Sequence, residues 1–106
     1  MSQCTKILFK TIMLFFIIIY AYAYDETHYK LFLNTNVCEN CDLRGVNFKG
    51  KVFKKALLKG SDLRNSNFNG ADLSEADLRF TNLGEATLYI AILEKADFEG
   101  ANLIGA

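Results

Sequence analysis

A five-residue repeat is the feature that most constrains the fold of this chain. Every fifth residue between Cys41 and Gly105 is Leu or Phe, and the residue two places earlier is small or β-branched except at Lys51. The thirteen central residues are Leu43, Phe48, Phe53, Leu58, Leu63, Phe68, Leu73, Leu78, Leu83, Leu88, Leu93, Phe98 and Leu103. A period of five matches neither a helix nor a regular strand. It indicates a repeat architecture.

The order of residues within a unit indicates which side chains are buried. A small residue and a Leu or Phe two places later point to the same side of a short extended segment, while the Asp or Asn between them points outward. The last two residues of a unit, often with Gly, suit a corner, because Gly tolerates backbone angles closed to other residues. Stacked coils would then place Leu and Phe in interior columns.

This pattern resembles the pentapeptide-repeat family, whose units carry Ala, then Asp or Asn, then Leu. The matching units here are ADLSE, ADLRF, ADFEG and ANLIG, at residues 71–75, 76–80, 96–100 and 101–105. The resemblance implies an all-β solenoid over residues 37–106, namely a right-handed quadrilateral β-helix with four pentapeptides per coil. Thirteen units correspond to roughly three and a quarter coils, or about 16 Å at ~4.8 Å per coil.

Residues 1–23 are typical of a secretory signal peptide. Lys6 and Lys10 supply a positive start, residues 11–20 form a short apolar run, and an Ala-x-Ala cleavage site precedes Tyr24. The alternative is an uncleaved membrane anchor, for which the apolar run is shorter than the ~20 residues of a spanning helix. We expect export to the periplasm or the extracellular space, with membrane contact only through the signal if cleavage fails.

Residues 24–36 do not follow the repeat and predict a short capping helix. The apolar positions recur at helical spacing: Tyr24, His28, Leu31 and Phe32. Asp25 or Thr27 suits the N-cap, and Asn34 suits the C-terminal end. The first coil of a solenoid exposes its core and an unpaired strand edge. We expect this helix to cover both.

Cys38 and Cys41 form a C-x-x-C sequence where the repeats begin. Cys38 falls at a central position and Cys41 at the next small position, so both are expected to face inward around one corner. In an exported chain this pair predicts a structural disulfide. The alternatives are a buried dithiol, a zinc site with His28 as the only further soft ligand, and a redox site, which would need a βαβ setting.

Charge is distributed unevenly along the repeats. Residues 44–64 hold seven basic side chains against Asp62 alone, whereas the later repeats are mainly acidic. We interpret this as a solvated surface, with steering of a charged partner or head-to-tail attraction between molecules as the alternatives. Lys51 occupies an inward position, so we expect its side chain to snorkel or the coil to deform. Leu57 is expected to cover the side of the first coil.

Apolar residues at outward positions late in the chain form a candidate partner surface: Tyr89, Ile90, Ile92, Leu103 and Ile104. Contiguous exposed apolar area usually marks contact with a partner. A capping segment precedes the first coil, but none follows the last. We therefore expect a weak symmetric homodimer through the C-terminal end.

No residue pattern indicates catalysis, so we expect neither an active site nor a cofactor or metal. His28 is the only histidine and is expected to pack against the first coil, and the rows of Asp and Asn follow from the repeat. The formal net charge of zero gives no indication of nucleic-acid binding. The expected function is that of a non-enzymatic exported structural or protein-interaction module.

Two alternative functions remain open. Some pentapeptide-repeat proteins mimic the DNA duplex and bind topoisomerases, which requires a long, acidic, cytoplasmic rod. The short solenoid, the basic first half and the export signal here argue against that role. A C-x-x-C metal or redox module is the other alternative, and thiol titration with metal analysis distinguishes it.

Overall fold

The computed structural model describes residues 23–106, which comprise one α-helix followed by stacked coils of extended residues and turns. The predicted signal peptide lies outside the described residues, apart from Ala23. Helix α1 spans Glu26–Thr35. Within residues 23–106 the extended segments pair through single-residue β-bridges rather than through longer strands. No helix in that range has the length and apolar character needed to cross a bilayer.

Parallel bridges connect residues that are twenty apart, from Val37 with Leu57 to Asn82 with Asn102. This spacing corresponds to four pentapeptides per coil. The backbone hydrogen bonds follow the same register: the N–H of Leu43 donates to the carbonyl of Asp62 at 2.9 Å, and the N–H of Asp62 donates to the carbonyl of Cys41 at 2.8 Å. Successive coils are therefore hydrogen-bonded to one another in a single register.

The bridges form four parallel ladders, and each ladder defines one side of the solenoid. We number these sides by their bridging residues, which alternate with the buried central residues. Face 1 carries Val37, Leu57, Asp77 and Asp97; face 2 carries Asp42, Asp62, Asn82 and Asn102; face 3 carries Asn47, Asn67 and Thr87; face 4 carries Val52, Asp72 and Ile92.

Each corner between two faces is a four-residue turn with a left-handed residue at the last position of the pentapeptide. At one such corner the N–H of Ala91 donates to the carbonyl of Leu88 at 3.0 Å, and Ile90 has a φ of 52°. This combination is typical of a type II turn. Six of these fifth positions are Gly, and eight others carry a side chain.

The interior columns contain the central Leu and Phe side chains together with the small residues between them. Phe48 and Phe68 stack in consecutive coils with ring centroids 4.9 Å apart, and both are fully buried. Lys51 occupies an inward position in the sequence pattern but is exposed. Leu57 is 41% exposed and lies between Val37 and Asp77 on face 1.

Helix α1 packs against the first coil through a different set of residues from the one that the sequence pattern predicts. Phe32 is fully buried, and its ring centroid lies 4.6 Å from that of Phe53. Leu31 was expected on the same apolar face but is 48% exposed, and Tyr29 packs against the core instead. The helix ends at Thr35 with Asn36 as its left-handed C-cap, rather than at Asn34.

Candidate interaction surfaces

Cys38 and Cys41 lie beneath helix α1 at the first corner and are joined by a disulfide with a Cα–Cα distance of 5.6 Å. Both are buried, with exposed fractions of 1% and 6%. The Ser61 hydroxyl lies in the next coil, donates to the carbonyl of Cys38 at 2.6 Å and accepts from the N–H of Cys41 at 3.0 Å. This serine connects the disulfide loop to the second coil.

The cap also supplies hydrogen-bonding partners to the open edge of the first coil. In later coils, the N–H of the residue at this position on face 2 donates to the coil before it. The N–H of Asp42 donates instead to Nδ1 of His28 at 2.9 Å, and the carbonyl of Asp42 accepts from the N–H of Asp25 at 3.1 Å. A buried edge needs such partners, because an unpaired backbone group is costly.

Three Asp-Leu-Arg segments pair each arginine with its own aspartate. Arg79 donates from Nε and from its terminal nitrogen to the two carboxylate oxygens of Asp77, at 2.8 and 2.7 Å. This hydrogen bonding from Arg79 holds the pKa of Asp77 below its ordinary value. Arg44 lowers the pKa of Asp42 in the same way.

The structure divides the five predicted partner-surface residues between two corners. Tyr89, Ile90 and Ile92 lie around the corner of faces 3 and 4, with exposed fractions of 75, 71 and 51%. Leu103 continues the buried column of face 2 but is 45% exposed, and Ile104 follows it at 77%. They therefore do not form one patch around a single corner, although all five lie in the last coil.

Two of the depressions on the described surface are of moderate size. One, of about 340 Å³, lies between the start of α1 and Arg44; the other, of about 260 Å³, lies beside Phe80. No group of three or more His, Cys, Asp or Glu side chains in residues 23–106 is arranged to hold a metal ion. The described surface also carries Asp-Leu-Arg pairs and exposed apolar corners.

A comparison with protein-family models matches pentapeptide repeats over most of this region. The model matches in eight copies, over residues 37–74, 52–89 and 82–106. These ranges together cover about two thirds of the chain and coincide with the stacked coils.

The chain belongs to the pentapeptide-repeat family.

Solved structures of pentapeptide-repeat proteins are similar to this one. A protein from the thylakoid lumen of Arabidopsis thaliana is 31% identical with a TM-score of 0.60, over 63% of this chain and 47% of that one. HetL of Nostoc sp. strain PCC 7120 is 26% identical with a TM-score of 0.38, over 66% of this chain and 37% of that one. Rfr23 of Cyanothece 51142 is also 26% identical with a TM-score of 0.38, over 76% of this chain and 75% of that one.

This pentapeptide-repeat protein spans about half or less of the length of the first two relatives. The family relationship implies a right-handed quadrilateral β-helix. No curated protein matches this sequence at a significant level.

The pentapeptide pattern alone did not reveal the role of His28. Its position in the cap indicated packing, but its Nδ1 atom also accepts the hydrogen bond from Asp42. A histidine in a segment that covers a solenoid edge could have suggested such an acceptor. Which backbone N–H donates to His28 depends on the position of α1 against the first coil.

Proposed function

We propose that this pentapeptide-repeat protein is an exported, non-enzymatic interaction module that binds a protein partner through its last coil. The observation that carries this proposal is the exposure of apolar side chains in that coil, where Tyr89, Ile90 and Ile104 are each more than 70% exposed. Exposed apolar area of this kind favours contact with a partner. The interior residues Leu93 and Phe98 of the same coil are only half-buried.

A second copy of the chain is the partner that best fits the edge of this coil. In earlier coils, the N–H of each central residue donates to the coil that follows. Among residues 23–106, the N–H groups of Leu93, Phe98 and Leu103 have no backbone acceptor. Two such edges that meet about a two-fold axis would be covered together, and closed dimers of this symmetry are common. Leu103 and Ile104 would lie near the centre.

Acidic side chains near this edge would limit the affinity of the dimer. Glu94, Asp97 and Glu99 all lie in the last coil. Their repulsion across the two-fold axis is screened by salt, so we expect association to strengthen as the ionic strength rises.

Sedimentation at rising protein concentration tests this dimer. We expect Ile104→Asp to weaken association, because it places a charge at the centre of the contact. Val52→Asp is the matched control, since Val52 is 73% exposed but lies in the first coil. A monomer at every concentration and salt level, or equal effects of the two substitutions, would contradict the proposal.

Export is supported by the signal-like sequence of residues 1–23 and by the cysteine pair. A disulfide is stable in oxidising compartments and rare in the cytosol. The similar Arabidopsis protein comes from the thylakoid lumen. Intact mass measured without reduction should give a chain that begins near Tyr24 and lacks two hydrogens at Cys38 and Cys41. A mass that retains Lys6 and Lys10 would indicate an uncleaved anchor.

A further inference from the structure

The four faces of the solenoid differ in charge, and face 3 carries no acidic side chain. Its segments are residues 46–51, 66–71 and 86–91, and none of the twelve Asp and Glu residues of the chain falls within them. The nearest carboxylates along the sequence are Glu85, at the corner before the face, and Asp72, on face 4. Because the other three faces all carry aspartates, this leaves one side suited to anions.

The polar side chains of face 3 present hydrogen-bond donors. Asn47 accepts from the N–H of Lys49 at 3.1 Å, Asn67 accepts from the N–H of Asn69 at 2.9 Å, and Asn69 accepts from the N–H of Tyr89 at 2.9 Å. Backbone N–H groups of the same turn or of the next coil therefore occupy the amide oxygens. The amide nitrogens have no acceptor among residues 23–106, so they remain available to an anionic partner.

Two lysines at the first-coil end of face 3 are also available. Lys49 and Lys51 are exposed, and neither forms an ion pair within the described residues. By contrast, Lys54 and Lys55 both approach the carboxylate of Glu75, at 3.8 and 3.9 Å. The positive charge at this corner is therefore not neutralised by neighbouring side chains.

The last-coil end of the same face is apolar and protrudes. Ile90 follows Gly50 and Gly70 in one corner column, and those two glycines leave the earlier coils without side chains there. Tyr89 lies beside Ile90, and Ile92 begins face 4. Exposed apolar residues on a convex corner can enter a fluid surface without a complementary groove.

We propose that face 3 docks onto an anionic phospholipid membrane, with the solenoid axis parallel to the bilayer. Lys49, Lys51 and the asparagine amides would contact headgroup phosphates, while Tyr89 and Ile90 enter the interfacial layer. Tyrosine is enriched at that depth. This role goes beyond protein binding by the last coil, with which it shares Tyr89 and Ile90, and it does not use the N-terminal segment.

The size of face 3 favours a membrane over a folded protein partner. Three coils at ~4.8 Å and about five residues per side give an area on the order of 200 Å². A specific protein interface usually covers about 800 Å² on each partner. A flat side of this size with a few anchoring groups is sufficient for weak, reversible binding at a charged bilayer.

Vesicle co-sedimentation of the full chain tests the electrostatic part. We expect stronger binding to vesicles that contain phosphatidylglycerol than to pure phosphatidylcholine. Lys49→Gln and Lys51→Gln should each weaken binding about fivefold, since a lysine near an anionic surface contributes roughly that factor. Lys30→Gln is the matched control, because Lys30 lies on the exposed side of helix α1, and it should change binding less than twofold. Equal effects at all three positions would overturn the proposal.

A second matched pair of substitutions tests the contribution of the apolar side chains to membrane binding. Ile90 and Phe80 are both exposed, and both occupy left-handed corner positions, with φ values of 52° and 58°. Ile90→Asn should weaken vesicle binding severalfold, while Phe80→Asn, at the corner between faces 1 and 2, should leave it unchanged. The reverse order, or no difference, would contradict the assignment of face 3.

A measurement of orientation separates face 3 from any binding by the apolar N-terminal segment. Paramagnetic lipids in anionic bicelles should broaden the resonances of Tyr89 and Asn69 more than those of Asp97 on the opposite face. Equal broadening on both faces would overturn the proposal. Lysine-dependent binding to soluble polyglutamate without binding to vesicles would assign face 3 to an acidic polypeptide instead, and would also overturn it.

Discussion

At the scale of single residues, the left-handed corner positions are the places where sequence and backbone conflict most. Asn40 and Asn65 occupy such corners, and Asn accepts this conformation more readily than most residues. Ile90 occupies an equivalent corner with a φ of 52°, which a β-branched residue adopts only with strain. The pentapeptide fold requires a left-handed residue at each corner, so Ile90 adopts this conformation in spite of the strain.

We predict that Ile90→Asn stabilises the protein by about 0.5–1 kcal/mol, because it relieves part of the left-handed strain and Ile90 is already 71% exposed. Chemical denaturation measures this change. Ile92→Asn is the control, since it makes the same exchange at a bridging position and should give no gain. An Ile90→Asn protein no more stable than the Ile92→Asn protein would show that the corner is not strained.

The Asp-Leu-Arg pairs predict how acid affects stability. Hydrogen bonds from Arg79 and Arg44 lower the pKa values of Asp77 and Asp42 in the folded chain. A lowered pKa stabilises the fold above the ordinary value of about 4, and this contribution is lost as the pH falls through the folded value. Asp77→Asn should therefore reduce the loss of stability between pH 5 and pH 2. Parallel acid titrations of both proteins would contradict this.

At the scale of structural elements, helix α1 determines how the solenoid begins. Asp25 accepts hydrogen bonds from the N–H groups of Thr27 and His28 and so caps the helix. Phe32 then covers the aromatic interior, and His28 accepts from the edge of the first coil. The same helix therefore provides apolar burial and a backbone hydrogen-bond acceptor.

Replacement of His28 by Phe separates these two roles. The ring remains, but the N–H of Asp42 loses its acceptor, so we predict a loss of about 1–3 kcal/mol. The amide of Asp42 should also exchange its hydrogen faster. Lys30→Ala, on the exposed side of the same helix, controls for helix changes. Unchanged exchange at Asp42 would mean that His28 contributes packing alone.

At the scale of the whole molecule, the stacked coils are not equally supported. The first coil is covered by α1, a middle coil is bonded on both sides, and the last coil contacts one neighbour within residues 23–106. In repeat proteins, stability is approximately the sum of repeat and nearest-neighbour terms. Opening should therefore begin at the last coil.

The Leu column of face 2 provides a matched series for this prediction. The N–H groups of Leu43, Leu63 and Leu83 each donate to the following coil, at 2.9, 2.7 and 2.7 Å. We expect hydrogen-exchange protection to be highest at Leu63 and to fall through Leu83 to Asn102, whose N–H donates to the carbonyl of Thr81 at 2.9 Å. Equal protection at Leu63 and Asn102 would indicate that the solenoid opens as one unit.

The period, the interior columns and the capping segment could all be predicted from the order of residues. These features depend on local choices that each pentapeptide repeats, such as Leu at the centre and Asp before it. The inward direction of Cys38 and Cys41 followed from the same register. Lys51 does not suit the inward position that the same register gives it, and it is exposed.

Which distant units share a side of the molecule became clear from the stacking of the coils. The absence of acidic side chains from face 3 is visible only when residues twenty apart are stacked. A single pentapeptide does not show which charges lie in the coils on either side of it. Tyr29 packs against the core in place of Leu31, and the N–H of Asp42 donates a hydrogen bond to His28. Both contacts depend on how α1 docks. Docking is set by packing across the first coil, and a local pattern does not contain that information.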